Sequence, residues 1–221
     1  MNRLKSTVAV VVMALSTTLL AQTHQIPVPT TVSKPMAAAV AAPVADLWLK
    51  APKSVSDWQA IASEYADTVG RSALSDAKAL NVDVQATKIA SVNVYVLTPK
   101  TIDQDKADKI IFYIHGGGYI LGHGASGIVE ALPMAADHHY KVVCVDYRMA
   151  PEFPFPAAID DAFAVYQELV KTHEADNIAV MGTSTGGAMT LILALQAHDA
   201  KVPMPAALIS GTPWSDMDKI G

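Results

Sequence analysis

Residues 178–187 read Ile178-Ala179-Val180-Met181-Gly182-Thr183-Ser184-Thr185-Gly186-Gly187, an unbroken apolar run that leads into a glycine-flanked serine. The run before Gly182 predicts a buried strand, and the apolar segment from Ser184 to His198 predicts a helix. The pattern G-x-S-x-G between a strand and a helix predicts a nucleophile elbow, a turn so tight that the serine backbone is strained. We therefore expect the Ser184 hydroxyl to point into a crevice from the positive end of a helix.

Three other unbroken apolar runs have the same character: residues 110–114, 142–145 and 206–209. Continuous apolar strands are typical of a parallel sheet that helices cover on both faces. The helices are predicted in the segments between the runs: residues 127–139, 157–172 and 184–198. This alternation of strands and helices predicts an α/β fold with a doubly wound, mostly parallel sheet.

The residues before Pro99 follow two other patterns. In residues 81–98 apolar and polar positions alternate, which predicts two half-buried strands that pair antiparallel at the N-terminal edge of the sheet. Asp46 to Leu80 has apolar residues at mostly helical spacing, and Ser56 is the predicted N-cap of its second helix. Its aromatic residues are interpreted either as core or as part of a lid over the site.

Two loops follow predicted strands of the sheet. His115-Gly116-Gly117-Gly118-Tyr119 has three glycines whose backbone can turn its N–H groups toward the negative charge of a tetrahedral intermediate. A merely flexible loop is the alternative, and a phosphate site is disfavoured because neither G-x-G-x-x-G nor a Walker lysine follows. The second loop, Asp146 to Asp161, is rich in proline. Its Arg148 and its aspartates predict a loop that ion pairs hold in place.

Three motifs occur in order along the chain: H-G-G-G at residues 115–118, D-Y-R-x-A-P-E-x-P-F-P-A-A at residues 146–158 and G-x-S-x-G-G at residues 182–187. On these motifs the chain resembles the hormone-sensitive-lipase-like group of bacterial esterases within the α/β-hydrolase superfamily. The resemblance runs from about Asp83 to Trp214. It implies an α/β-hydrolase fold with a helical cap segment at residues 46–80 and a partial hydrolase core at residues 81–221.

The resemblance also implies a function, that of a serine carboxylic-ester hydrolase acting on small-molecule esters without a metal or an organic cofactor. Ser184 would be the nucleophile. Backbone N–H groups of Gly117, Gly118 and Thr185 would form the oxyanion hole, with Gly116 as a substitute if the loop register differs. The remaining residues of the site belong to supporting loops: His115, Gly116, Tyr119, Asp146 and Arg148.

The elbow departs from the usual family pattern at one position. Thr183 is the threonine variant of a position that usually holds Asp or Thr in the family. Thr185 stands where the family usually has Ala. Its backbone N–H can still serve the oxyanion hole, and we expect its β-branched side chain to crowd the acyl pocket.

A serine nucleophile needs a histidine base and an acid that orients the histidine. The only histidine after Ser184 is His198, about 20 Å along the predicted helix by the rise per residue, which is too far. His123 near the glycine loop is the best substitute, and we interpret it as a loop residue. We expect the acid and the histidine beyond Gly221. The alternatives are a hydrolase homologue that binds ligands without catalysis and an inactive truncated product.

The composition of the chain indicates which partners the protein is expected to have. The net charge is -5 and no lysine- or arginine-rich run is present, so nucleic acid is not an expected partner. The single cysteine, Cys144, excludes an internal disulfide and is predicted to be buried.

Residues 1–21 combine a basic start with a short apolar core and predict an export signal, with an uncleaved anchor as the alternative. Residues 22–45 are predicted as a linker, and the protein as periplasmic or secreted with no stable membrane span after cleavage.

Overall fold

The computed structural model describes residues 27–44, 46–216 and 218. The predicted export signal at residues 1–21 lies outside the described residues. The chain divides into two units, Met1–Ala45 and Asp46–Gly221. In the described ranges, no helix has both the length and the apolar character that crossing a membrane requires.

The first unit contains one described helix, α1 at Lys34–Ala41. It begins after Ser33, whose hydroxyl accepts a hydrogen bond from the backbone N–H of Met36, and Pro35 occupies its first turn. Proline is well tolerated there because first-turn N–H groups have no partner within the helix. The stretch predicted as a linker therefore includes a capped helix.

The second unit is built on one sheet. Within residues 46–216 six strands pair in the order β1-β2-β4-β3-β5-β6. The strands are β1 (Val82–Ile89), β2 (Val92–Pro99), β3 (Ile110–Ile114), β4 (Lys141–Asp146), β5 (Ile178–Thr183) and β6 (Ala207–Gly211). The last four pair parallel, whereas β2 runs antiparallel to both β1 and β4. The predicted mostly parallel sheet with an antiparallel N-terminal edge is confirmed.

The helices of this unit follow the prediction in part. They are α2 (Asp46–Leu49), α3 (Val55–Ala79), α4 (Leu132–Ala136), α5 (Ala157–Thr172) and α6 (Thr185–Asp199). The N-cap of α3 is Ser54 rather than Ser56: the Ser54 hydroxyl accepts from Asp57 N–H, and the Asp57 carboxylate accepts from Ser54 N–H. This reciprocal pair satisfies two backbone donors at once, and Ser56, two residues later, lies within the helix.

The single helix predicted at residues 127–139 was wrong. Residues Gly124–Ala131 form a 3₁₀ helix, and a short α-helix of five residues, α4, follows with Pro133 in its first turn. The helix ends at Ala136, and His139 has a φ of 57°, a left-handed conformation that a helix cannot continue through.

Helices cover both faces of the sheet. On one face α5 and α6 pack on side chains such as Phe112 and Val143, and the other face carries α3, α4 and the 3₁₀ helix on side chains such as Ile111 and Cys144. Alternate residues of β3 and β4 thus enter different cores, which explains why both strands read as continuous apolar runs. Cys144 is buried as predicted.

Two regions of this unit expose apolar side chains. Strand β6 is an edge of the sheet, and Leu208 and Ile209 are 39% and 45% exposed. Trp48 and Trp58 are also largely exposed, so these two aromatic residues are not core positions.

Candidate active site

Ser184 lies at the junction of β5 and α6, with φ 55° and ψ -122°. This is a strained backbone conformation for a residue with a side chain, at a cost of roughly 1–3 kcal/mol. Backbone hydrogen bonds hold it: Ser184 N–H donates to Gly211 C=O at 2.9 Å, and Ser184 C=O accepts from Trp214 N–H at 3.3 Å. The structure thus has a strained turn between a strand and a helix at Ser184, where the sequence predicted one.

The two glycines that flank the serine are required by close backbone contacts. A Cβ on Gly186 would lie 2.0 Å from the carbonyl oxygen of Ile114, at the end of β3. A Cβ on Gly182 would lie 2.4 Å from the carbonyl oxygen of Gly186 itself. Any side chain at either position would therefore push the elbow away from the end of the neighbouring strand.

The glycine loop lies directly beside the nucleophile. A Cβ on Gly116 would be 3.1 Å from the Cβ of Ser184 and 2.9 Å from the carbonyl oxygen of Thr183. Gly117 has a φ of 113°, and Leu121 N–H donates to its carbonyl oxygen at 2.8 Å. The structure thus brings together the serine and the loop that the sequence predicted as oxyanion hole.

The other two residues predicted to form the oxyanion hole, Gly118 and Thr185, follow Gly117 and Ser184 directly in the chain. The ring of Trp214 would be 3.6 Å from a Cβ on Gly118, so this indole borders the glycine loop. The side chain of Thr185 is fully buried and does not line the cavity beside Ser184. The expected crowding of the acyl pocket by this side chain is therefore not found in that cavity.

His115 is buried next to the glycine loop and hydrogen-bonds to it. Its ring is 4% exposed, stacks on Tyr147 with 4.1 Å between centroids, and has its Nδ1 2.7 Å from the carbonyl oxygen of Gly116. A carbonyl oxygen can only accept, so Nδ1 carries the proton. Burial lowers the pKa of His115 to about 4, which keeps the ring neutral. Tyr147 completes the support, since its hydroxyl donates to the backbone oxygen of His115 at 2.9 Å.

The proline-rich loop is pinned as predicted. The Arg148 guanidinium donates to both carboxylate oxygens of Asp161, with a shortest contact of 2.7 Å, and Asp161 also accepts from Arg148 N–H. Asp146 accepts from the backbone N–H of Gly124 at 2.8 Å, and burial raises the pKa of this carboxyl group. Tyr119, with a φ of 62°, packs against the core beneath α5 and α6. These side chains hold the loops around the site.

A cavity of about 140 Å³ opens beside Ser184 and the glycine loop. Its wall includes Tyr65 from α3 and two residues that the sequence analysis missed, Tyr113 from β3 and Glu130 from the 3₁₀ helix. Glu130 carried a signal in the sequence, because it is the only acidic or basic residue between Gly124 and Ala136. Tyr65 lies on the segment predicted as a cap and reaches the cavity.

Among the described residues, no histidine is hydrogen-bonded to the Ser184 hydroxyl. His198 is in the last turn of α6, exposed and 3.1 Å from Asp199, as its distance along the helix predicted. His123 lines a separate cleft with Asp146 and Arg148. In residues 46–216 we find no hydrogen bond to the Ser184 Oγ atom, and no group of three potential metal ligands clusters in the described parts of the chain.

A larger cleft of about 660 Å³ lies at the opposite ends of the strands, next to Ile110, Lys141 and Asn177. No serine or cysteine lines this cleft. Active groups of open α/β sheets collect at the carboxyl ends of the strands, where Ser184 lies. We therefore assign the site to the smaller cavity.

Comparisons with known proteins agree with this geometry. A family described as having the alpha/beta hydrolase fold matches residues 111–220. An "Esterase" from Acinetobacter venetianus is 36% identical over 115 residues, which are 52% of this chain and 38% of that protein. An "Acetyl-hydrolase" from Streptomyces hygroscopicus is 35% identical over 116 residues, 49% of this chain and 37% of that protein. The chain thus matches less than two fifths of the length of either relative.

Solved structures are similar over a larger part of the chain. The crystal structure of the esterase E25 has a TM-score of 0.80 and 35% identity, and the match covers 89% of this chain and 61% of that one. An esterase from the bacterial hormone-sensitive lipase family has a TM-score of 0.67 and 26% identity, with 78% of this chain and 55% of that one covered.

Proposed function

Because the chain belongs to the hormone-sensitive-lipase-like esterases of the α/β-hydrolase superfamily, we propose that it hydrolyses carboxylic esters through an acyl-enzyme on Ser184. One observation carries the proposal: a strained serine at the start of a helix lies against a triple-glycine loop. A nucleophile beside preorganised backbone donors is the arrangement that acyl transfer requires.

In the proposed reaction the Ser184 oxygen forms a bond to the ester carbonyl carbon. The carbonyl oxygen becomes an oxyanion, which the N–H groups of Gly117, Gly118 and Thr185 stabilise. The bond to the alcohol then breaks and the alcohol leaves with a proton. Water attacks the acyl-enzyme and releases the acid. A general base takes the proton of the Ser184 hydroxyl and returns it to the leaving alcohol; no histidine among the described residues is hydrogen-bonded to Ser184.

We infer that the substrates are small-molecule esters with a short acyl group. The cavity beside Ser184 is small, about 140 Å³, and two relatives are named "Acetyl-hydrolase" and "Ethyl acetate hydrolase". Tyr65 and Val129 form part of its wall. We expect p-nitrophenyl acetate and butyrate to be hydrolysed with a higher kcat/KM than the decanoate.

The test compares p-nitrophenyl butyrate hydrolysis by the full-length protein, its Ser184→Ala variant and a Ser72→Ala control on the exposed face of α3. We expect Ser184→Ala to lower kcat by roughly 1,000-fold or more, as in other serine hydrolases. Ser72→Ala should leave kcat unchanged. Turnover that survives Ser184→Ala contradicts the proposal.

A second candidate function is a ligand-binding hydrolase homologue without catalysis. If the wild-type protein binds an ester, measured by calorimetry, but never releases p-nitrophenol, this second function holds and the esterase proposal fails.

We further propose that the protein is exported. Arg3 and Lys5 precede an apolar core from Thr7 to Leu20, which is the pattern of a secretory signal. Cell fractionation tests this, and a protein of full mass in the cytoplasm would contradict it.

A further inference from the structure

Glu130 connects two hydroxyl groups beside the nucleophile. Its Oε2 atom accepts a hydrogen bond from the Tyr113 hydroxyl at 2.8 Å and another from Thr183 Oγ1. Tyr113 lies on β3 and Thr183 ends β5, while Glu130 comes from the 3₁₀ helix that covers this face of the sheet. One carboxylate oxygen therefore joins three elements of the fold at the carboxyl ends of two parallel strands.

The position of Thr183 gives this contact a consequence for the nucleophile. Thr183 directly precedes Ser184, whose backbone is in the strained conformation, and its carbonyl oxygen faces Gly116 of the glycine loop. A strained turn persists only where its surroundings determine it fully. The hydrogen bonds of Ser184 itself join backbone atoms, and the bond to Glu130 holds the side chain of the preceding residue.

The charge of Glu130 acts on another residue of the cavity wall, Tyr65. The carboxylate lines the cavity together with Ser184 and Tyr65. Burial raises the pKa of Tyr65, and the negative charge of Glu130 raises it further. Both hydroxyls at Oε2 must donate, because an ionised carboxylate only accepts.

Glu130 does not have the geometry of a general base for Ser184. No hydrogen bond joins its carboxylate to Ser184 Oγ among the described residues, and the two bonds that Oε2 makes go to Tyr113 and Thr183. Glu130 is therefore linked to Ser184 only indirectly, by its hydrogen bond to the side chain of Thr183.

We propose that Glu130 is a positioning residue, which fixes the Ser184 elbow by anchoring the Thr183 hydroxyl to the end of β3. This inference rests on the proposed esterase function. The proposal also depends on the threonine at residue 183, because an aspartate there could not donate to Glu130 and would repel its carboxylate.

The test is a double-mutant cycle in the full-length protein with p-nitrophenyl butyrate: Glu130→Ala, Thr183→Val and the pair. We expect each single variant to lower kcat by about 10- to 100-fold with little change in KM, because a small misplacement of the nucleophile costs rate rather than binding. The pair should be no slower than either single variant. Thr183→Ser, which keeps the hydroxyl, should retain most of the wild-type kcat.

A swapped pair separates positioning from general loss of structure. Thr183→Asp alone should lower kcat, and adding Glu130→Gln should restore at least part of it, since the glutamine amide can donate to the new carboxylate. Glu168→Ala removes an exposed carboxylate on α5 and serves as the control that leaves kcat unchanged. Melting temperatures of all variants show whether each is folded.

Three outcomes would overturn the inference: Glu130→Ala with wild-type kcat, losses that simply multiply in the double variant, or a swapped pair no faster than Thr183→Asp. The proposed function is tested separately in the same assay by Ser184→Ala. If that variant is inactive while Glu130→Ala is normal, only the role of Glu130 fails.

Discussion

At the scale of single residues, burial sets the protonation state of His115, which lies next to the glycine loop. His115 is enclosed by glycines and by the ring of Tyr147: a Cβ on Gly122 would lie 2.5 Å from its Nδ1, and one on Gly127 2.9 Å from its Cδ2. Nothing larger than glycine fits at either position. Two further glycines, Gly122 and Gly127, therefore lie against the His115 ring, in addition to the three that follow His115 in the sequence.

We expect His115 to make stability depend on pH. Burial lowers its pKa to about 4, so the unfolded chain binds a proton at a higher pH than the folded chain does. The stability that the neutral ring contributes is present above about pH 6.5 and is lost as the pH falls toward 4, by at most about 3 kcal/mol. Denaturant unfolding of the wild type and of His115→Asn between pH 7 and pH 4 measures it.

The Asn variant can keep the hydrogen bond to the Gly116 carbonyl oxygen but does not titrate in this range. Its free energy of unfolding should fall less over that interval than the wild type's. Equal slopes would show that His115 does not titrate as its burial requires.

At the scale of elements, the elbow depends on how closely β5 and α6 approach the end of β3. The contact is between backbones, and the carbonyl oxygen of Ile114 occupies the space that a side chain on Gly186 would need. The helix that follows can then begin at Thr185, directly after the nucleophile. Backbone contacts set how closely β5 and α6 lie against the end of β3, and the Thr183–Glu130 hydrogen bond adds a side-chain restraint on the residue before the serine.

Gly186→Ala should therefore remove activity and lower the melting temperature. Its Cβ would be 2.0 Å from the Ile114 oxygen, whereas a Cβ on Gly70 within α3 meets nothing closer than 3.4 Å. Gly70→Ala is the matched control and should be neutral or stabilising by about 0.5–1 kcal/mol. Calorimetry of both variants checks this, and a Gly186→Ala protein as stable and active as the control would contradict the elbow geometry.

The strands and the nucleophile elbow could be predicted from the sequence because each has a local signal. Apolar runs, period-two alternation and a glycine-flanked serine depend only on neighbouring residues. The 3₁₀ helix at Gly124–Ala131 could not be predicted in this way, because its apolar residues fit a longer α-helix equally well. Tyr113 and Glu130 were missed for a different reason: their contact joins residues 17 positions apart, and no pattern of spacing shows it.

At the scale of the molecule, the sheet has two unlike edges. At one edge β1 is followed by β2 in an antiparallel pair, and at the other β6 exposes Leu208 and Ile209. The neighbouring helix α6 also exposes apolar side chains, with Leu191 41% and Leu195 67% accessible. An exposed strand edge beside apolar side chains favours association with other chains.

The 221-residue chain should therefore associate at increasing concentration. Replacing Leu195 and Leu208 by lysine adds charge to the exposed surface and should shift the chain toward the monomer. Sedimentation velocity over a hundredfold concentration range measures this. A wild-type chain that stays monomeric throughout would show that the β6 edge does not drive association.

The most direct test of the central claim, a reactive Ser184 facing the glycine loop, is covalent labelling. The full-length protein is treated with a fluorophosphonate probe, and the modified residue is located by peptide mass spectrometry, with Ser184→Ala as the control. We predict one adduct per chain on the peptide that contains Ser184 and none in the variant. An adduct on another residue, or equal labelling of the variant, would contradict the assignment.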